Sequence, residues 1–334
     1  MSTVLVTGAT GFVGRALVPA LLGLGHRVIS AVRPNHESIG AGTEARMIGD
    51  IGPDTDWRDV LEGIKVVVHL AARVHVMVET GQDPEALYRQ TNVEGTRRLA
   101  IEAAAAGVKR LVFLSTVKVN GEQTPGDPFT EADRPRPAGP YALSKWAAEE
   151  ALTEVAAKTG IEVIILRPPL VYGEGVGGNF LSLLKLCRSA PPLPFSAVEN
   201  ARSLIYLGNL VAAIAAALEH PAAAGKTFLV RDGEDLSTPE LIRRTAAALG
   251  RPARLFPLPL YFVRLLARIT GKSAAIERLL GSLRVDDGKI RRELDWTPPF
   301  TVLQGLGRTA AWFAATGGND GNTGKHRGKA PLTP

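Results

Sequence analysis

Residues 7–14 read Thr7-Gly8-Ala9-Thr10-Gly11-Phe12-Val13-Gly14, between an apolar run, Val4-Leu5-Val6, and a stretch of helical period over about residues 12–24. A strand, a glycine turn and a helix in that order make one βα unit. The glycines are spaced GxxGxxG and not GxGxxG, so a phosphate-binding loop is matched in its physics but not in the usual spacing. Gly8 permits the tight turn, Gly11 lets the backbone approach a pyrophosphate, and Gly14 lets the helix pack on the sheet. Amides at the helix start, around Thr10, Phe12 and Val13, supply donors for the anion. Three glycines also suit an ordinary βα turn; the strand before and the helix after favour a bound dinucleotide.

The alternation continues down the chain. Strand-like runs recur at 28–32 (VISAV), 66–70 (VVVHL), 111–115 (LVFLS) and 163–166 (VIIL), with helical stretches at 93–106 and 142–158 between them. This pattern predicts a parallel sheet covered on both faces, and the right-handed crossover rule makes it a doubly wound α/β fold of Rossmann type. After Arg167-Pro168-Pro169 come a glycine-rich stretch (Gly173, Gly175, Gly177, Gly178), a proline-rich one (Pro191, Pro192, Pro194) and helical stretches around 236–249, 261–270 and 301–315. The expected division is a dinucleotide-binding domain over 1–170, to which 201–222 return, and a smaller C-terminal substrate-binding lobe from 171–200 and 223–316. Residues 317–334 offer almost nothing apolar to bury and read as a disordered tail.

With 334 residues, 45% of them hydrophobic, disorder of the whole chain is excluded. The net charge is +6, of which residues 317–334 carry +2, too mild an excess in the body for a nucleic-acid binder. Such a reading would rest on Lys325, His326, Arg327 and Lys329 alone. The single cysteine, Cys187, forms no internal disulfide and builds no thiolate zinc site, so no metal is expected and a reduced, cytoplasmic setting fits. The first residues read as a strand and not as a leader segment. The longest apolar run, 210–218, falls far short of the ~20 residues of a membrane span. Residues 251–280 are basic and amphipathic, with Tyr261, Leu265 and Ile269 along one helical face and Arg264 and Arg268 along another. The apolar stripe is expected to be lobe core with a solvated rim; the alternative is weak contact with a membrane surface.

Two further features bear on chemistry. The second strand ends in Ser30-Ala31-Val32-Arg33-Pro34, with no carboxylate for the ribose hydroxyls of NAD(H). Arg33 offers a guanidinium suited to a 2′-phosphate, which favours NADP(H) over NAD(H); the alternative is a surface arginine beside a less specifically held NAD(H). Tyr141 and Lys145 lie four residues apart at the start of a helical stretch, hence one turn apart on one face. A phenol is a poor base at neutral pH, but an adjacent ammonium and a cationic nicotinamide favour its phenolate.

With the glycine loop and the YxxxK spacing together, residues 3–315 resemble the extended branch of the short-chain dehydrogenase/reductase family, the NAD-dependent epimerases and dehydratases, and within it the nucleotide-sugar 4-epimerases and 4-keto-sugar reductases. The resemblance implies that Tyr141 is the acid/base, that Lys145 binds the nicotinamide ribose and tunes the tyrosine, and that Thr116 holds the reacting oxygen. It implies cofactor contacts at Asp50 and Ile51, at Leu70, Ala71 and Ala72, at Asn92 and at Pro168, and substrate contacts at Lys118, Asn179, Arg202 and Arg284. His69 reads as a hydrogen-bonded packing residue and not a proton shuttle, and Asn92 stands where it would also cap a helix. Dehydratases of the family carry Asp-Glu after the threonine; here Val117-Lys118 stands there, so water loss is not expected. The implied activity is hydride transfer at C4 of a nucleotide-diphosphate sugar, with UDP as the expected carrier. Arg33 tips it toward a UDP-4-keto-hexose reductase; the alternative is a UDP-hexose or UDP-N-acetylhexosamine 4-epimerase. A non-catalytic dinucleotide sensor or assembly subunit would be expected to lack Tyr141 or Lys145. The resemblance, together with the two alanine-rich helices over 93–106 and 142–158, suggests a homodimer through a four-helix contact.

Overall fold

The computed structural model describes residues 1–34, 42–74, 83–269, 271 and 273–317. The chain runs β1 (Thr3–Thr7), α1 (Phe12–Gly23), β2 (Arg27–Val32), β3 (Glu44–Met47), α2 (Arg58–Leu61), β4 (Val66–His69), α3 (Pro84–Tyr88), α4 (Gly95–Ala105), β5 (Arg110–Leu114), α5 (Gly139–Thr159) and β6 (Glu162–Arg167). It continues with β7 (Leu170–Tyr172), α6 (Gly178–Ser189), β8 (Arg202–Tyr206), α7 (Leu207–Glu219), β9 (Thr227–Leu229), β10 (Asp235–Leu236), α8 (Thr238–Ala248), α9 (Leu260–Ile269), α10 (Ser273–Leu280), α11 (Gly288–Leu294) and α12 (Val302–Thr316).

Seven strands form one sheet in the order β3-β2-β1-β4-β5-β6-β9, every pairing parallel. The strand runs are apolar at successive positions because both faces are covered. Val4, Val6, Val66 and Val68 face one core with α1 and α7, while Leu5, Val67, Leu111 and Phe113 face the other with α4 and α5. The strand order reverses between β1 and β4, which opens a crevice beyond their carboxyl ends. The expected doubly wound α/β architecture is therefore the observed one.

Downstream, β10-β8-β7 form a separate small sheet, and α7 packs back on α1. Thr227–Leu229, in the stretch expected in the second lobe, instead supplies the seventh strand of the main sheet, beside β6. The fourth helix does not begin at Val93. A π-helical turn, Arg89–Glu94, joins α3 to α4, so Asn92 lies inside a continuous helical run and caps nothing. Gly95 is required there, since a Cβ would stand 2.6 Å from Ile51 Cγ2.

The reading of α9 as core is corrected. Tyr261, Leu265 and Ile269 are exposed, and among the described side chains of α9 it is Val263 that turns inward, into a cluster with Phe195, Ile242 and Leu280. Among the described residues no helix is long and apolar enough to cross a membrane. The end of the helix expected at Thr270 and the tail from residue 318 lie outside the described residues, as do Lys325, His326, Arg327 and Lys329; Gly317 caps α12 with φ +65°.

Candidate active site

The crevice floor is the loop between β1 and α1. Gly8 adopts φ +68°, and a Cβ on it would stand 2.8 Å from the Ala71 amide nitrogen. A Cβ on Gly14 would meet the Gly8 carbonyl oxygen at 2.3 Å. Both positions are closed to any side chain, so the loop and the start of α1 are held close to the turn after β4. Gly11 precedes α1 in extended backbone and donates to the Gly8 carbonyl at 3.0 Å. The first amides of α1, from Phe12 and Val13 onward, thus stand at a glycine-lined helix N-terminus, a cradle that fits a pyrophosphate.

Thr7 fixes the other wall. Its hydroxyl lies 2.7 Å from His69 Nδ1 and accepts from the Ala71 amide at 3.3 Å. His69 Nε2 lies 3.0 Å from the Thr96 hydroxyl, and the ring stacks on Phe113. Burial, with Lys145 nearby, holds the imidazole down to about 3, so His69 is neutral and anchors β4 to α4. Asn92 holds the next turn: its Oδ1 accepts from the Arg73 amide at 2.7 Å, and its Nδ2 donates to the Arg73 carbonyl and to Ser144 Oγ. Leu70, Ala71 and Ala72 therefore border the crevice on a segment clamped at both ends, and Asn92 ties that segment to α5.

Helix α5 carries Tyr141 and Lys145 on one face. Gly139 and Pro140 open it, a proline in the first turn where its missing amide costs nothing. Lys145 is almost completely buried, its ammonium 4.0 Å from the centre of the Phe113 ring. Burial lowers its pKa to about 7, and the Glu149 carboxylate partly opposes that shift. Tyr141 lies edge-on to Tyr88 at 6.4 Å between ring centres, and burial pushes its phenol up to about 12. Thr116 follows β5 and accepts from the Lys118 amide at 3.3 Å, while the Val117 amide donates to the Pro168 carbonyl at 2.9 Å. The ends of β5 and β6 thereby set Thr116 and Pro168 side by side.

A buried ion pair that sequence reading missed holds this region together. Arg167 Nε donates to Glu149 Oε1 at 3.0 Å and its Nη1 to Asn120 Oδ1 at 3.0 Å, while Ser115 Oγ donates to Glu149. Glu149 stands one turn beyond Lys145, so the motif extends to Tyr-x-x-x-Lys-x-x-x-Glu. That spacing was the available signal. Its partners on β5 and β6 were not.

Beyond the end of β2, Arg33 Nη1 stands 3.5 Å from Asp50 Oδ1, both side chains being exposed. The guanidinium expected to read a 2′-phosphate thus shares its site with a carboxylate from the turn after β3. Ile51, beside it, contacts Gly95. Among the residues expected to contact substrate, Lys118 Nζ pairs with Glu122 at 3.2 Å. Arg202 Nη1 donates to the Gly281 carbonyl at 2.8 Å, and β8 pairs at Arg202 with Leu283. Arg284 donates through Nη2 to the Gly126 carbonyl and through its amide to Thr124 Oγ1 at 2.9 Å. Arg202 and Arg284 thus flank one strand-like segment. Asn179 is exposed in the first turn of α6, at its glycine-rich N-terminus.

The model of the NAD dependent epimerase/dehydratase family matches residues 4–230. A UDP-glucose 4-epimerase of Vibrio cholerae is 43% identical over 315 residues, 93% of this chain and 95% of the relative. An N-acetyl-alpha-D-glucosaminyl-diphospho-ditrans,octacis-undecaprenol 4-epimerase of Escherichia coli O157:H7 is 31% identical over 328 residues, 92% of this chain and 93% of the relative. Among solved structures, a short-chain dehydrogenase/reductase superfamily protein from Agrobacterium tumefaciens with bound NAD is 26% identical, has a TM-score of 0.73 and covers 94% of this chain and 98% of its own. The glycine cradle, the Tyr141–Lys145 helix and these matches across nearly the whole length agree: the chain is an enzyme of the NAD dependent epimerase/dehydratase family.

Proposed function

We propose that the protein interconverts the C4 epimers of a UDP-hexose or UDP-N-acetylhexosamine, with Tyr141, Lys145 and Thr116 at the reacting carbon. The observation that carries this reading is the 43% identity to a UDP-glucose 4-epimerase over 93% of the chain. It is supported by the buried Lys145 one turn from Tyr141 on α5, and by Thr116 and Pro168 held together at the ends of β5 and β6. Both 4-epimerase relatives are named for a sugar carried on a diphosphate, which suits Arg202, Arg284 and Lys118 on the substrate side, with Asn179 at the start of α6. Gly8, Thr10, Gly11, Phe12, Val13 and Gly14 would hold the pyrophosphate of NAD(H), Asp50 and Ile51 its adenosine half, and Leu70, Ala71, Ala72 and Pro168 would line its path toward Lys145. Bound there, NAD(H) supplies the hydride acceptor and donor.

The protein's own groups do the rest. Tyr141 exchanges a proton with the sugar C4 oxygen, Thr116 holds that oxygen by a hydrogen bond, and Lys145 contributes a positive charge that favours the phenolate. Val117-Lys118 leaves no carboxylate pair beside Thr116 for removal of water, and Lys118 is engaged with Glu122. A homodimer through α4 and α5 belongs to the same reading, supported by the exposed apolar side chains of Ile101 and Leu143 on those helices.

Purified protein incubated with UDP-glucose, UDP-galactose and their N-acetyl forms, with no cofactor added, is expected to interconvert the 4-epimers and to release NAD(H) on denaturation. The second reading, a UDP-4-keto-hexose reductase using NADPH, is favoured by Arg33. NADPH consumed with a UDP-4-keto-6-deoxy sugar, without epimer interconversion, would establish it and overturn the first.

Asp50 gives the two cofactors a direct test. A carboxylate beside Arg33 repels a 2′-phosphate as the guanidinium attracts it, so Arg33→Ala is expected to alter NADH affinity less than about threefold, with NADPH binding weak before and after. If native protein binds NADPH tightly and the variant loses more than about tenfold of that binding alone, Arg33 reads the phosphate.

A further inference from the structure

We infer that the face formed by α9 and its flanking segments is a docking surface for an anionic lipid bilayer. Phe256, Tyr261, Phe262, Leu265 and Ile269, all within residues 256–269, are 42, 70, 50, 40 and 73% exposed. Among the described side chains of α9, Val263 is the one buried. Exposure on this scale departs from the scatter of single apolar residues that a protein surface normally carries.

Charge decides what covers it. Residues 251–280 hold six Lys and Arg against one Glu, a local excess of five in a chain whose whole excess is six. The single acid, Glu277, is already paired with Arg264 at 2.9 Å. Arg251, Arg254 and Arg268, in the same stretch of chain as the aromatic and aliphatic side chains, are exposed too. A second copy of this face would bring like charges together on both sides. A surface of phosphate headgroups over acyl chains complements both features, with arginines at headgroup level and Tyr261, Phe262 and Ile269 at the boundary below. The helix is ten residues long, too short to span and suited to lying in the interface.

The face is joined to the substrate side. Arg202, whose side chain donates to the carbonyls of Arg278 and Gly281, links the end of α10 to β8, so docking would set the sugar-diphosphate side of the crevice close to the headgroups.

The test uses the full chain and sedimentation with vesicles of phosphatidylcholine alone or mixed with phosphatidylglycerol, at low and at high salt. Binding is expected to the anionic vesicles, to be far weaker on phosphatidylcholine, and to fall as salt rises. Tyr261→Ser/Ile269→Ser and Arg254→Glu/Arg268→Glu are each expected to lower vesicle partition about tenfold or more. These side chains are exposed, so melting temperature, bound cofactor and turnover of soluble UDP-sugar should match the native protein in both variants. Failure of native protein to sediment with anionic vesicles, or equal sedimentation of native and variants, overturns the inference. So does self-association that Tyr261→Ser/Ile269→Ser abolishes without any vesicle binding, which would assign the face to a second copy. Sedimentation reads docking whether or not the epimerase reading holds.

Discussion

Tyr141→Phe is expected to lower turnover by about two to four orders of magnitude while leaving cofactor content within a few-fold of native. The reason lies in the opposing shifts of the two groups on α5. Burial pushes the Tyr141 phenol up to about 12 and brings the Lys145 ammonium down to about 7, so at neutral pH the phenol is protonated and Lys145 stands near its midpoint. Proton abstraction from a sugar oxygen needs the phenolate, and a positive charge brought near the phenol would offset part of the desolvation. Glu149 keeps Lys145 more basic than burial alone would. Phenylalanine preserves the ring that meets Tyr88 edge-on, so the fold should be unchanged while the only exchangeable proton of the side chain is lost. Turnover of the 4-epimers and cofactor content, measured on the same preparation, check both halves. Near-native turnover would remove Tyr141 from the chemistry.

The largest effect on stability is expected from Arg167→Ala, at about 3–5 kcal/mol. Arg167 and Glu149 are both under 5% exposed, and removing the guanidinium leaves a buried carboxylate with Ser115 as its remaining donor. Asn120 Oδ1 loses its donor as well. Total stabilities of ~5–15 kcal/mol make this a large fraction, and urea unfolding with a thermal scan measures it; a fall of about 4–7 °C is expected. Arg167→Met combined with Glu149→Leu should recover most of the loss, because two apolar side chains leave no charge to desolvate. That stable double variant should still turn over more slowly, since Lys145 has lost the carboxylate one turn away. A double variant as unstable as Arg167→Ala would show that packing, and not the ion pair, carries the stability.

The sheet and its ligand crevice can be read from the chain because their causes are local. Val4-Leu5-Val6 and Val66-Val67-Val68 are apolar at every position, as strands buried on two faces require, and the period changes to helical at Phe12. The glycine spacing marks positions where a Cβ would strike Ala71 or the Gly8 carbonyl. Tyr141 and Lys145 announce themselves by a spacing of four, which one helical turn converts into proximity. The rest depended on partners distant in sequence. Arg33 has no acidic neighbour in its own strand, yet Asp50 meets it from the turn after β3. Glu149 looks like any helical carboxylate until β5 and β6 bring Ser115 and Arg167 to it. Thr227–Leu229 is too short to declare which sheet it joins, and pairing with β6 decides it. Period alone also reveals that α9 has an apolar stripe without saying which side is covered. Val263 lies about 200° around the helix from Tyr261, and the cluster of Phe195, Ile242 and Leu280 selects Val263. Side-chain pattern is a property of a segment, whereas burial is a property of what the fold sets against it.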